Sequence, residues 1–281
     1  MSDVPVLFDV PGPRGRRLNV VLGVVAVALA AGAVGWVIWL MRAQLGPEMW
    51  QPFTEPSTWL YYVIPGLINT LQAALISVVL ALLLGIALGM GRVSTVPAIR
   101  VVCGVFVEFF RSVPVLVLMV FFYTTFLFSG LVSGPMLPLL GVVCGLVLYN
   151  STVIAELVRS GVGSLPRGQR EAGLTVGLTE GQTLRAILLP QAITAMLPSL
   201  LNQLVVILKD TALGYIITYP ELLRSLQTLA SGRSNLIVSF LVGAAIVIVL
   251  NFGLTSLATA VQRRLSRRGR APKQEAVAQE V

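Results

Sequence analysis

A chain of 281 residues, 56% of them hydrophobic and only 11% charged, cannot clothe a water-facing surface, for which a soluble domain uses about 25% charged residues. The same figures exclude a disordered chain, and a mean hydropathy of +0.87 leaves an integral membrane protein. With no histidine and a net charge of +8, the chain builds no His-ligated metal site, Ser-His-Asp triad or His proton relay, and the placement of its charge decides whether nucleic acid is a partner.

Residues 1–17 form a basic segment with Pro11, Gly12 and Pro13 followed by Arg14, Arg16 and Arg17. The apolar run behind it, about 24 residues, is too long for the core of a cleavable signal and reads as a retained first span over 18–41. Stretches long enough to cross a bilayer follow: Leu18–Met41, Tyr62–Gly91, Val101–Phe128, Met136–Val158, Ala186–Leu208 and Leu236–Val261. An all-α polytopic bundle of about six transmembrane helices is therefore expected, with both termini on one side. Placing the termini in the cytoplasm puts 15 of the 20 lysines and arginines on the inner side, as the positive-inside rule requires. The basic tail over 263–281 then reads as an anchor on anionic lipid headgroups and not as a nucleic-acid site. Cys103 and Cys144 lie in apolar stretches and read as packing residues.

Between the spans, Trp50, Trp59, Tyr61 and Tyr62 suit an outer headgroup level, and Ser129 to Pro135 is a short turn rich in helix breakers. Thr211–Tyr219 is apolar but too short to span, and reads as a re-entrant or interfacial piece. The inner loop over 160–189 is different. It reads as two short helices, the first beginning near Ser164 with Pro166 in its opening turn and stopped by Gly177. The second begins at Thr179, which stands at capping-box spacing from Gln182, and runs to Pro190. As a DNA-binding helix pair it fails, because its second helix offers only Gln182 and Arg185 to bases and phosphates and opens with acidic Glu180. The remaining reading is a docking element for a cytosolic protein.

Glu171-Ala172-Gly173, three residues, Gly177, nine residues and Ile187-Leu188-Leu189-Pro190 follow the pattern EAA-x3-G-x9-I-x-LP, with Gly173 where the pattern prefers Ala. On these residues the chain resembles the permease subunits of bacterial ABC importers. Over about residues 60–262, the segments around Glu108-Phe-Phe-Arg111-Ser-Val-Pro114, Ala155-Glu156-Leu-Val-Arg159, Pro166-Arg-Gly168-Gln169 and Leu208-Lys209-Asp210-Thr211 are similar to permeases for polar amino acids. The peptide Leu7-Phe8-Asp9-Val10-Pro11-Gly12-Pro13 and the extra first span resemble the glutamate permease branch. The resemblance implies a pore subunit of the bacterial plasma membrane, carrying glutamate or a related amino acid inward. It also implies a cytosolic ATP-binding subunit dimer docked on Glu171, Ala172, Gly173, Gly177, Ile187, Leu189 and Pro190, a second permease chain, and an extracytoplasmic solute-binding protein. ATP and Mg would reside on the partner ATPase. Neither lysine, Lys209 after Leu208 nor Lys273 after Pro272, has the glycine that a P-loop places before it, so this chain holds no Walker motif of its own.

Charged residues inside spans mark candidate substrate contacts. Three pairs occur: Glu108/Arg111, Glu156/Arg159 and Lys209/Asp210. The first two are spaced i, i+3 and can neutralise themselves on one helix face, so a purely orienting role stands beside the functional one. Two GxxxG motifs, Gly85 to Gly89 and Gly141 to Gly145, read as close helix packing. An ion-coupled secondary transporter is the alternative function, although six spans without inverted repeats speak against it. An intramembrane enzyme has no nucleophile–base set or metal cluster to work with.

Overall fold

Proline decides where these helices bend. A proline lacks the backbone donor and crowds the carbonyl four residues back, which for Pro65 and Pro190 belongs to Tyr61 and Ala186. In the structure, a computed structural model that describes residues 12–268, both carbonyls fall within a π turn, Trp59–Val63 and Leu184–Leu188. The wider π register relieves the crowding without ending the helix. As a result Pro56–Arg92 (α2) and Glu180–Ile217 (α7) each run as one element. Leu7 to Pro11 and the tail beyond Arg268 lie outside the described residues.

Pro114 has the opposite effect. The residue before a proline is pushed out of the helical region, and Val113 is extended at φ −89°, ψ 126°. Pro97–Ser112 (α3) and Val115–Ser129 (α4) therefore meet at 97°. The single span expected over Val101–Phe128 is thus a broken pair, because α3 and α4, of 16 and 15 residues, rise only about 24 and 22 Å each. Among the described residues five helices are long and apolar enough to cross a bilayer, and six spans result if the bent pair counts as one.

Residues up to Pro52 form one compact unit, in which Pro13–Leu40 (α1) exposes its apolar surface along its length. The second unit begins at Phe53 and adds Met136–Gly163 (α5), Arg167–Thr175 (α6), Leu222–Arg233 (α8) and Leu236–Arg268 (α9). The expected short piece after Lys209 is a 3-10 extension of α7 over Thr211–Ile217.

Helix α5 is the axis of this unit. Its Val142, Leu146, Ile154 and Val158 are fully buried. In lipid, apolar burial gives little reason for helices to associate, and close backbone approach at small residues supplies the attraction. Both GxxxG motifs serve that purpose within the chain. A Cβ on Gly85 would stand 2.6 Å from Ile154 Cβ, and one on Gly89 would stand 2.5 Å from Val158 Cβ, which joins α2 to α5. A Cβ on Gly145 would meet Met119 Cγ of α4 at 2.6 Å. Between α5 and α7 a polar contact adds to the apolar packing of Met196 and Leu200: Gln203 donates to the fully buried Asn150 at 2.5 Å, and Asn150 donates to the Leu146 carbonyl at 2.8 Å. Gly85→Val should therefore separate α2 from α5 and destabilise the protein by about 3 kcal/mol, the upper end of overpacking costs. A thermal melt of the purified variant in detergent reads this directly, and an unchanged midpoint would contradict the packing scheme.

Candidate functional site

The 160–189 loop folds as a hairpin built on its own turn chemistry. Helix α6 starts one residue after Pro166 and ends in a Schellman turn, in which Leu178 donates to the Gly173 carbonyl at 3.1 Å and Gly177 to Leu174 at 3.0 Å. Gly177 takes φ +86°, the left-handed conformation that glycine adopts without strain. The capping box forms as expected: Gln182 N–H donates to Thr179 Oγ1 at 3.3 Å, and Thr179 N–H donates to Gln182 Oε1 at 2.8 Å. The fork of Arg170 clamps Glu180 across the hairpin through donors at 2.9 and 2.7 Å.

Gly173 departs from the Ala of the pattern for a local reason. A Cβ there would stand 2.6 Å from Thr183 Cγ2 and 3.0 Å from Ile187, so α6 and the start of α7 touch where a methyl group would not fit. Of the proposed coupling residues, the structure brings Gly173 and Ile187 together inside the hairpin. Glu171, Ala172 and Gly177 are exposed on its surface, while Leu189 and Pro190 continue into α7. Two apolar neighbours that the sequence reading passed over, Leu174 at 39% and Val176 at 75%, are also exposed there.

A cluster of charges lies where α2, α3 and α5 end beside the hairpin. Glu156 accepts from Arg92 at 2.6 Å, pairs with Arg159 one turn along, and has Arg111 at 3.8 Å. Arg92 also pairs with Glu108 at 3.0 Å. The i, i+3 pair Glu156/Arg159 is therefore made, but Glu108/Arg111 is not. Helix crossing offers each of them a partner on another element, and Arg92, at 13% side-chain exposure, is the hub between the two glutamates. Sequence reasoning treated Arg92 only as a loop charge. The available signal was its position, since Arg92, Glu156 and Arg159 all stand at the same end of apolar runs.

Lys209 and Asp210 stand about 30 Å along α7 from Pro190, too far to belong to this cluster. They do not pair with one another, because adjacent helical residues face different directions. Lys209 makes no ion pair among the described residues and lines a cavity of about 220 Å³ with Thr70, Glu221 and Phe240. At this end the segment after α7 is stapled to α2. The Tyr219 hydroxyl donates to the Asn69 carbonyl at 2.8 Å, Asn69 donates to the Pro220 carbonyl at 2.9 Å, and Leu222 N–H donates to Thr70 at 3.1 Å. Glu221 caps α8 by accepting from the Leu223 and Arg224 N–H groups at 2.7 Å each, and is only 2% exposed. Burial pushes its carboxyl up to about 7, against the downward pull of those two donors. Burial, with the nearby Glu221 charge, likewise pushes the Tyr219 phenol up to about 12. The sequence reading passed over Glu221.

Residues 81–267 match the family of binding-protein-dependent transport system inner membrane components. The chain belongs to that family. It is a membrane permease subunit of the ABC-importer type and not an enzyme. The glutamate transport system permease protein GluD of Corynebacterium glutamicum is 49% identical over 232 residues, which cover 83% of this chain and 85% of that one. The glutamate/aspartate import permease protein GltK of Escherichia coli is 29% identical over 208 residues, covering 72% of this chain and 93% of that one. A crystal structure described as an amino acid ABC transporter with histidines matches with a TM-score of 0.65 at 28% identity, covering 72% of this chain and 93% of that one. An inward-facing MetNI methionine ABC transporter, at 20% identity and a TM-score of 0.62, shares the fold.

Two outcomes follow from this geometry. Replacing Glu156 removes a partner from three guanidiniums, of which Arg92 keeps Glu108 while Arg111 and Arg159 are half-exposed, so Glu156→Gln should cost about 2 kcal/mol. Glu108→Gln, at a side chain 66% exposed, should cost less than about 1 kcal/mol. Equal melting temperatures for the two variants would contradict the hub arrangement. For Glu221 the sign is set by a folded value near 7 above an ordinary value of 4.5. The folded state holds the proton longer, so stability falls as pH rises from about 4.5 to 7, by about 3 kcal/mol in all. Glu221→Gln should flatten that slope in a pH series of melts.

Proposed function

We propose that this permease forms half of a pore that imports an acidic amino acid, glutamate foremost, powered by a cytosolic ATPase dimer that carries the ATP and Mg. The second half of the pore is another copy of the chain or a homologous permease. An extracytoplasmic solute-binding protein delivers the substrate at the end bearing Tyr219 and Glu221. In this arrangement both termini and the α6–α7 hairpin face the cytoplasm, on the strength of the arginines gathered at that end. The names of GluD and GltK support an acidic substrate.

The observation that carries this reading is the hairpin itself. Its two helices are locked together by the Schellman turn, the capping box and the Arg170–Glu180 fork. Leu174 and Val176 nevertheless stand exposed at its tip. A stiff projection with an apolar tip is suited to seat in a groove of another subunit and to transmit its movement. Glu171 supplies an anionic contact beside that tip.

For the substrate carboxylate the candidates are Arg111, half-exposed and held only at 3.8 Å from Glu156, and the unpaired Lys209. Glu108, Glu156 and Arg159 would tie the helices together beside the path, and Asp210 would stand next to the cation at the far end.

Gly177→Val forces a β-branched residue into the left-handed region, so glutamate uptake by the reconstituted complex should fall to background while the permease still inserts. Wild-type uptake and ATPase binding would sink the coupling role. Arg111→Ala and Lys209→Ala, made separately, should each slow glutamate uptake about tenfold or more. Wild-type rates in both would make these residues structural.

A further inference from the structure

Beside the hairpin, a cleft of about 440 Å³ opens between the turn that follows α2, the last turn of α5, and α6 with the start of α7. Four arginines line it: Arg92, Arg159, Arg167 and Arg170. The carboxylates at hand do not match them in number. Glu180, the one acidic residue on the wall, is held by both arms of the Arg170 fork. Glu156 is divided among Arg92, Arg159 and Arg111, and Glu108 reaches only Arg92 among the described residues, so three carboxylates face five arginines. Arg167 makes no ion pair among the described residues. The cleft therefore carries uncompensated positive charge on planar donors, with Ser94 and Thr95 on the same wall. Guanidinium forks with hydroxyl donors are the chemistry that binds a tetrahedral phosphate oxyanion.

We propose that this cleft binds a phosphate oxyanion, supplied by the headgroup of an anionic phospholipid from the leaflet on the hairpin's side. The lipid source is favoured by position and by lining. The membrane-spanning helices α2 and α5 end at Arg92 and Gly163, at the mouth of the cleft, which is where headgroups lie. Val162, Leu165 and Leu188 give the wall an aliphatic part suited to a glycerol backbone and the first methylenes. A phosphate seated there would draw Arg167 of α6 towards Arg92 and Arg159 of the bundle, fixing the hairpin against the helices it moves. This inference rests on the chain being a membrane permease and on neither its substrate nor its orientation.

The test uses the purified full complex in nanodiscs of phosphatidylcholine with graded phosphatidylglycerol, reading retained lipid by native mass spectrometry. Wild type should retain about one phosphatidylglycerol per permease chain at low mole fraction. Arg167→Gln should weaken that retention about tenfold, the scale of one charge-assisted hydrogen bond. Arg100→Gln, an equal loss of charge at an exposed arginine that does not line the cleft, should leave it unchanged. In a second arm, inorganic phosphate is titrated into complexes in pure phosphatidylcholine. Binding of phosphate there with the same Arg167 dependence, and without a phosphatidylglycerol response, would keep the oxyanion site and overturn its lipid source. Equal losses in Arg167→Gln and Arg100→Gln, or none in either, would overturn the site, whatever the complex transports.

Discussion

Close backbone approach is the constraint from which the rest of the second unit follows. A helix surrounded by lipid gains little by burying leucine against leucine, so association depends on contacts that chains of ordinary width cannot make. Here α5 meets α2 at Gly85 and Gly89, and α4 at Gly145, so closely that a single added methyl group would overlap its neighbour. Those contacts bring the ends of α2, α3 and α5 near enough for Arg92 to reach both Glu108 and Glu156. The charge cluster is thus a product of the packing, and the arginine-lined cleft is in turn a product of the cluster's surplus of arginines.

Proline shapes the same bundle with two opposite results. At Pro65 and Pro190 a π turn takes up the missing donor and the helix continues, while at Pro114 the chain turns through 97°. The local chemistry is the same in all three cases. The difference lies in Val113, which takes an extended conformation, and in the stretches around Pro65 and Pro190, where the extra residue of the π register can be accommodated. Membrane proteins tolerate such interruptions where neighbouring helices satisfy or shield the freed groups.

Much of the architecture was legible in the sequence, because charge-free runs, a capping box and a glycine at a fixed spacing are local signals. Thr179 with Gln182, and the stop at Gly177, needed no knowledge of the rest of the chain. Partners across helices were another matter. Glu108 and Arg111 look like a self-contained pair at i, i+3, yet α3 crosses α2 and α5 in a way that gives each a different partner. Gly173 reads only as a departure from the Ala of the pattern, and is the place where two helices touch. Glu221 carries no motif at all. Its burial depends on Thr70 and Asn69 of α2, about 150 positions away along the chain.

Because the π turn at Leu184–Leu188 preserves α7 as one element, its 38 residues act as a lever arm with its short end in the hairpin. At 1.5 Å per residue the arm is about 57 Å long, so each degree of tilt moves its far end by about 1 Å. That end is where Tyr219, Pro220 and Leu222 are tied to α2. A rocking motion of a few degrees applied at Gly173 would therefore load those three hydrogen bonds first. Under the proposed coupling role the staple at Tyr219 would act in mechanical terms as a latch, its strength limiting how far the hairpin swings before the far end of the arm responds.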